Sequence, residues 1–159
     1  MGRTSLDRAE WFLRTASKAD QARCKDKKSW DGLWQDTYRE LGGSSISVAK
    51  KECPKNAAYG LWFLGRVKSS MGQRIDLPVR EVDRQLGKNS AYAVIAADLL
   101  AGETDYSRQQ LWDEVRRAYA AATGKTAALS EQGQISLVLA LAKRGALAKN
   151  RAASQAGKA

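Results

Sequence analysis

The sequence predicts an all-α fold, a compact domain of about six to seven helices, and three observations carry that expectation. Apolar residues recur at i, i+3 and i+4 through most of the 159 residues; most such stretches end at a glycine or a charged break; and the one short alternation, Ile75, Leu77 and Val79, is interrupted by Pro78. A proline there removes a ladder donor, so that segment reads as extended loop rather than a central strand.

Leu6 to Ala22 forms a first amphipathic helix, with Leu6, Ala9, Leu13 and Ala16 on one stripe and Trp11 and Phe12 widening it. The polar run Lys25 to Lys28 follows as a linker, so the helix over residues 6–22 is expected to attach loosely. Ser29 and Asp31 give the second helix an N-terminal oxygen and a negative first turn. Its Trp30, Leu33, Trp34, Thr37, Tyr38 and Leu41 keep the helical template unbroken until Gly42 and Gly43. Ser44 or Ser45 can cap a short helix over Ile46 to Glu52.

The densest apolar run, Cys53 to Lys68, comes next. Pro54 suits a first helical position, and Gly65 suits the left-handed residue that closes a helix, with Val67 beyond it to pack back. Ala57, Ala58, Tyr59, Leu61, Trp62, Phe63 and Leu64 leave no polar face, so this central helix is expected to be buried all round.

Pro78 opens a short helix through Val82 and Leu86, ended by Gly87, and Asn89 or Ser90 caps an alanine-rich helix running to Leu100. Ser107 with Gln110 forms a capping box for a helix that ends at Gly124. Gly124, Lys125 and Thr126 are not a phosphate loop, because Tyr119 stands where that motif needs a glycine and a helix precedes it. Ser130 caps the last helix, where Ile135, Val138, Leu139 and Ala142 repeat at helical spacing, and Gly145 with Leu147 repeats the closing device of the central helix. Residues 1–147 thus read as a single helical domain, and residues 148–159, free of acids and of apolar period, as a disordered basic tail. No internal repeat is detected.

Composition narrows the function classes. Mean hydropathy of -0.50 and the lack of a long charge-free apolar run exclude a conventional membrane span. Asp7, Arg8, Glu10 and Arg14 interrupt what would be the apolar region of a secretory signal, so the expected compartment is the cytoplasm. With no histidine, the commonest general base and zinc ligand are missing, and no carboxylate pair or metal-ligand spacing stands out. No catalytic residue, metal or cofactor is therefore assigned, and a non-enzymatic role is expected. Cys53, ahead of a helix start beside Lys51 and Lys55, keeps a cysteine-dependent enzyme as a distant alternative, a small buried residue being the plainer reading.

The net charge of +10 is segregated: residues 44–88 carry nine Lys/Arg against four acids, and residues 143–159 carry five against none. Such clusters suit a polyanionic partner through counterion release, although charge also keeps a small protein from associating. A helix, a glycine turn, a short helix and a further helix with a basic entry are the ingredients of a helix-turn-helix, which would aim Lys50, Lys51, Lys55 and Asn56 at DNA. The all-round apolar pattern of the central helix opposes that docking. The leading expectation is nucleic-acid binding mainly through phosphates, from Lys50, Lys51, Lys55, Asn56, Arg66, Lys68, Lys143, Arg144, Lys149 and Arg151. The alternative is a protein partner docked on the aromatic-rich central region, a reading that exposure of Trp62 and Phe63 would favour.

Two blocks carry a family resemblance: Cys53, Pro54 and Lys55 leading to Gly60, Leu61, Gly65, Val67 and Lys68, and then Lys88, Asn89, Tyr92 and Ala93. Across about residues 29–120 the chain resembles an uncharacterised bacterial helical domain family. The resemblance implies a shared helical fold and transfers no activity.

Overall fold

A computed structural model describes residues 7–49, 52–68, 75–102 and 105–148. Among them the backbone forms eight helical stretches and, in place of a sheet, one isolated bridge pair. The all-α expectation holds, with seven helices of eight residues or more and the short stretch Ile46–Ala49 (α3). No helix among the described residues is long and apolar enough to cross a membrane. The expected tail, from residue 149 onward, lies outside the described residues, as do Lys50 and Lys51.

Helix α1, Arg8–Ala22, starts on Asp7, whose carboxylate accepts the N–H groups of Ala9 and Glu10. Helix α2, Lys27–Glu40, starts earlier than Ser29, because Asp26 Oδ1 accepts the Ser29 N–H at 2.8 Å and draws the polar run into the first turn. Loose attachment of α1 is not what the structure shows. Trp11, Phe12, Ala16 and Ala19 are buried, Trp11 stacks on Trp34 with ring centroids 4.0 Å apart, and its indole N–H donates to the Trp34 carbonyl at 2.7 Å. A polar connection says nothing about attachment; the apolar stripe behind it does.

Helix α4, Glu52–Phe63, and helix α6, Lys88–Leu100, form the centre. Residues 50 and 51, just before α4, lie outside the described residues, and Pro54 lies buried within the helix. Asn89 and Ser90 lie inside the first turn of α6 rather than ahead of it. The Ser90 hydroxyl is turned across to donate to the Asn56 carbonyl at 2.7 Å. A Cβ added to Gly60 would stand 2.6 Å from that of Ser90, so the close approach of α4 and α6 depends on this glycine.

The two central helices open on a shared block that the sequence reading passes over: Lys55, Asn56, Ala57, Ala58, Tyr59 in α4 and Lys88, Asn89, Ser90, Ala91, Tyr92 in α6. The two tyrosines anchor different aromatic clusters. Tyr59 packs with Trp30, Trp62 and Phe63, which continues through Trp34 and Phe12 into α1 and α2. Tyr92 meets Trp112 and Tyr119 of helix α7, Arg108–Thr123, edge to face.

Helix α5, Val79–Leu86, follows Pro78, which sits just outside as the cap residue, and Gly87 at φ 99° turns the chain directly into α6. In α7 the capping box of Ser107 and Gln110 and the left-handed Gly124 stand as the sequence predicts. Helix α8, Gln134–Lys143, begins after Gly133, later than Ser130 would have it. The carboxylate of Glu131 accepts the N–H groups of Gly133, Ile135 and Ser136 at 2.7, 3.1 and 3.2 Å, so an acid does the capping.

Asp83 ties α5 to α7. Its side chain is buried, the Tyr119 hydroxyl donates to Oδ1 at 2.8 Å, and Lys125 Nζ donates to Oδ2 at 2.7 Å. Burial alone would raise the Asp83 carboxyl, but the bonds from Lys125 and Tyr119 outweigh it and hold the group below its ordinary range. Burial, followed by the bond to Asp83, pushes the Tyr119 hydroxyl upward, so it remains a donor. A carboxyl lowered by folding stabilises above its unfolded pKa, and that contribution is lost as pH falls through the folded value. Asp83→Asn should therefore melt below the natural protein at pH 7, with the gap closing below about pH 4. Thermal unfolding at a series of pH values measures it; a gap independent of pH would remove this role.

Candidate nucleic-acid interface

Two helices end in the same way and then pair. At the end of α4, Gly65 at φ 71° donates to the Trp62 carbonyl at 3.1 Å and Arg66 N–H to the Leu61 carbonyl at 2.9 Å. At the end of α8, Gly145 at φ 64° donates to Ala142 at 3.0 Å and Ala146 N–H to Leu141 at 3.0 Å. Both are Schellman closures, and each leaves the next residue extended. The two extensions meet as an antiparallel bridge, Val67 against Leu147, with Lys68 N–H donating to Ala146 and Ala148 N–H to Arg66, each at 2.8 Å. Lys68 and the last turn of α8, with Lys143 and Arg144, are thereby gathered at one end of the molecule.

The residues singled out from sequence divide into three groups. Lys68, Lys143 and Arg144 are exposed near the bridge, Arg144 in an ion pair with Asp7. Lys55 and Arg66 are buried and face inward. Lys55 Nζ lies 3.3 Å from Asp31 Oδ2, and Asn56, half-buried, gives its carbonyl to Ser90. Arg66 Nη1 donates to the carbonyls of Leu64 at 2.7 Å and Ile75 at 3.0 Å, its Nε donates to Asp98 Oδ1 at 3.0 Å, and Asp76 lies 3.7 Å from Nη2. Neither cation is available to a phosphate, because each already answers an internal carboxylate. Lys50, Lys51, Lys149 and Arg151 lie outside the described residues.

The burial of α4 bears on two expectations. None of residues 54–63 is exposed, so this part of α4 offers no face to lay in a major groove. In the aromatic-rich region Trp62 is 9% exposed with its indole N–H on Asp20 Oδ1 at 2.9 Å, and Phe63 stacks on Tyr59 while remaining half-buried. The side chain of Cys53 is outside the described part.

A groove of about 640 Å³ runs beside α8, floored by Leu100, Leu139 and Ala140 and edged by Tyr106, Arg108 and Lys143. Asp105 and Ser136 add polar atoms to its wall. Ser136, Leu139, Ala140 and Lys143 are the i, i+3, i+4 and i+7 positions of α8, so one stripe of that helix is left half-covered.

With the helical order and the bridge in place, a comparison with family models decides the assignment. The chain belongs to the DUF6979 family. The model of this family of unknown function matches residues 10–148. Neither a curated protein nor a solved structure matches the chain. The span shared with DUF6979 takes in all eight described helices except the first residues of α1, both partners of the bridge and the whole groove.

Arg108 and Tyr106 were not reachable from the DUF6979 chain's charge map. Arg108 stands in a segment where acids outnumber bases, and Tyr106 precedes the Ser107 cap, a position that ordinarily packs back on its own helix. Arg116 is half-buried and donates through Nε to the Ala128 carbonyl at 2.8 Å.

Proposed function

We propose that this protein is a small non-enzymatic nucleic-acid-associated protein of the cytoplasm, holding its partner mainly by phosphate contacts at the end defined by the Val67–Leu147 bridge. The bridge is the observation that carries the reading. It joins the exits of α4 and α8, and the sequence continuing from each exit is basic: residues 68–74 carry Lys68 and Arg74 with no acid, and residues 143–159 carry five Lys/Arg with none. Two cationic segments far apart in sequence thus start side by side, the convergence that counterion release requires. Groove insertion by α4 is no part of the proposal; Lys68, Lys143 and Arg144 replace Lys55 and Arg66 as the contacts.

Fluorescence anisotropy of labelled oligonucleotides over a salt series tests it. Three phosphate contacts contribute about 2 to 3 to the slope of log affinity against log salt. Changing Lys68, Lys143 and Arg144 together to Gln should flatten the slope by that amount. Removing Arg14, Arg39 and Arg84, exposed partners in short-range ion pairs, should leave it nearly unchanged. Absence of binding at low salt, or binding indifferent to salt, sinks the proposal.

A further inference from the structure

Resting on that reading, we infer that the nucleic acid is single-stranded and that one of its bases enters the groove beside α8 and stacks on Tyr106. Among the described residues, every Trp, Phe and Tyr ring is in contact with another aromatic ring except that of Tyr106. A chain that otherwise gathers its aromatic rings into two buried clusters leaves one half-buried ring packed on the edge of the core without an aromatic neighbour, and it lines the groove. Single-strand binders join an aromatic platform to a cationic track, because every base has a stackable face and every linkage a phosphate.

The groove supplies both parts. Its volume of about 640 Å³ lies in the range of small-molecule sites, and Leu100, Leu139 and Ala140 add apolar surface to the lining that Tyr106 shares. Arg108 and Lys143 are exposed and make no ion pair among the described residues, so their charge is available to the phosphates flanking an inserted base. The backbone N–H groups at the start of α7 are not the anion site, since the Gln110 N–H goes to Ser107 Oγ at 3.1 Å and the Ser107 N–H to Gln110 Oε1 at 3.0 Å. Asp105 and Ser136 present acceptors and a hydroxyl to the base edge. On the far side of Tyr106 a shallower pocket is lined by Asp105, Asp113 and Glu114 with Arg117, an acidic surface that turns a phosphate chain away. The backbone path is therefore confined to the α8 side, where Lys143 also belongs to the cationic end by the bridge.

A duplex keeps its bases stacked and cannot deliver one to the groove without unpairing, so the inference separates cleanly from simple phosphate binding. Anisotropy with short single-stranded DNA, single-stranded RNA and a duplex of the same sequence reads it. At least one of the single strands should bind about 10-fold more tightly than the duplex. Tyr106→Ala should lose about 5- to 100-fold on the single strand while leaving the salt slope intact, because stacking releases no counterions. Tyr106→Phe should retain affinity, and Ala140→Phe, which fills the floor from a half-exposed position, should abolish the single-strand preference without unfolding the domain. Salt-dependent binding that is equal for duplex and single strand, or unmoved by Tyr106→Ala and Ala140→Phe, overturns the inference and leaves the phosphate reading standing. Loss of all binding to every oligonucleotide overturns both. The relative affinities of the DNA and RNA strands identify which backbone the groove accepts.

Discussion

Trp30→Ala should destabilise the protein by about 3 to 5 kcal/mol, measured by urea unfolding followed by circular dichroism. Trp30 is fully buried and touches Phe12, Trp34, Tyr59 and Trp62, so it links α1 and α2 to the central helix α4. Truncation removes one of the largest side chains of that cluster and leaves a cavity that three helices cannot easily close. A loss of this size is a large share of the roughly 5 to 15 kcal/mol that holds a domain folded. Trp30→Phe gives the complementary result. The indole N–H of Trp30 is buried with no hydrogen-bond partner among the described residues, so phenylalanine forfeits packing but no bond there, and its cost should be less than half that of alanine. Equal losses for the two variants would show that the ring's volume is not what matters.

Arg66→Ala should cost about 3 kcal/mol. The guanidinium, 3% exposed, satisfies the carbonyls of Leu64 and Ile75 together with Asp98, joining the end of α4 to the chain entering α5 and to α6. Asp98 is about a third exposed and regains some water when the cation is removed, which keeps the loss at the lower end for a buried pair. Arg66→Lys should recover only part, since one ammonium cannot reproduce the fork. The distinguishing readout is hydrogen exchange at the Lys68 and Ala148 amides, which bond across the bridge next to Arg66. They should exchange faster in Arg66→Ala than amides of α7 do; uniform acceleration across the molecule would mean that Arg66 supports the fold as a whole and not the bridge. Loosening the bridge should also weaken oligonucleotide binding, although Arg66 itself contacts no phosphate.

Much of the fold was legible because its devices are local. The Ser107 and Gln110 capping box, the left-handed Gly65, Gly124 and Gly145, and the all-round apolar pattern of α4 each follow from a few neighbouring residues, and each stands in the structure. Helix starts shifted where an acid outcompeted a hydroxyl, at Asp26 over Ser29 and at Glu131 over Ser130, since a carboxylate meets several N–H groups and the helix dipole at once. The site was legible only in part. Lys55, Arg66, Lys68 and Lys143 look alike in a charge count, yet the first two are buried against Asp31 and Asp98, residues 24 and 32 positions away, and the last two are exposed.

The sequence alone determined the helices, their closures and the cationic excess, because periodicity, caps and charge are properties of short stretches of chain. Tertiary structure alone decided which cations remain for a partner, that Val67 meets Leu147, and that Tyr106 stands apart from the aromatic clusters. Those outcomes depend on which side chains distant segments bring into reach, and desolvation leaves a buried cation no choice but the nearest carboxylate.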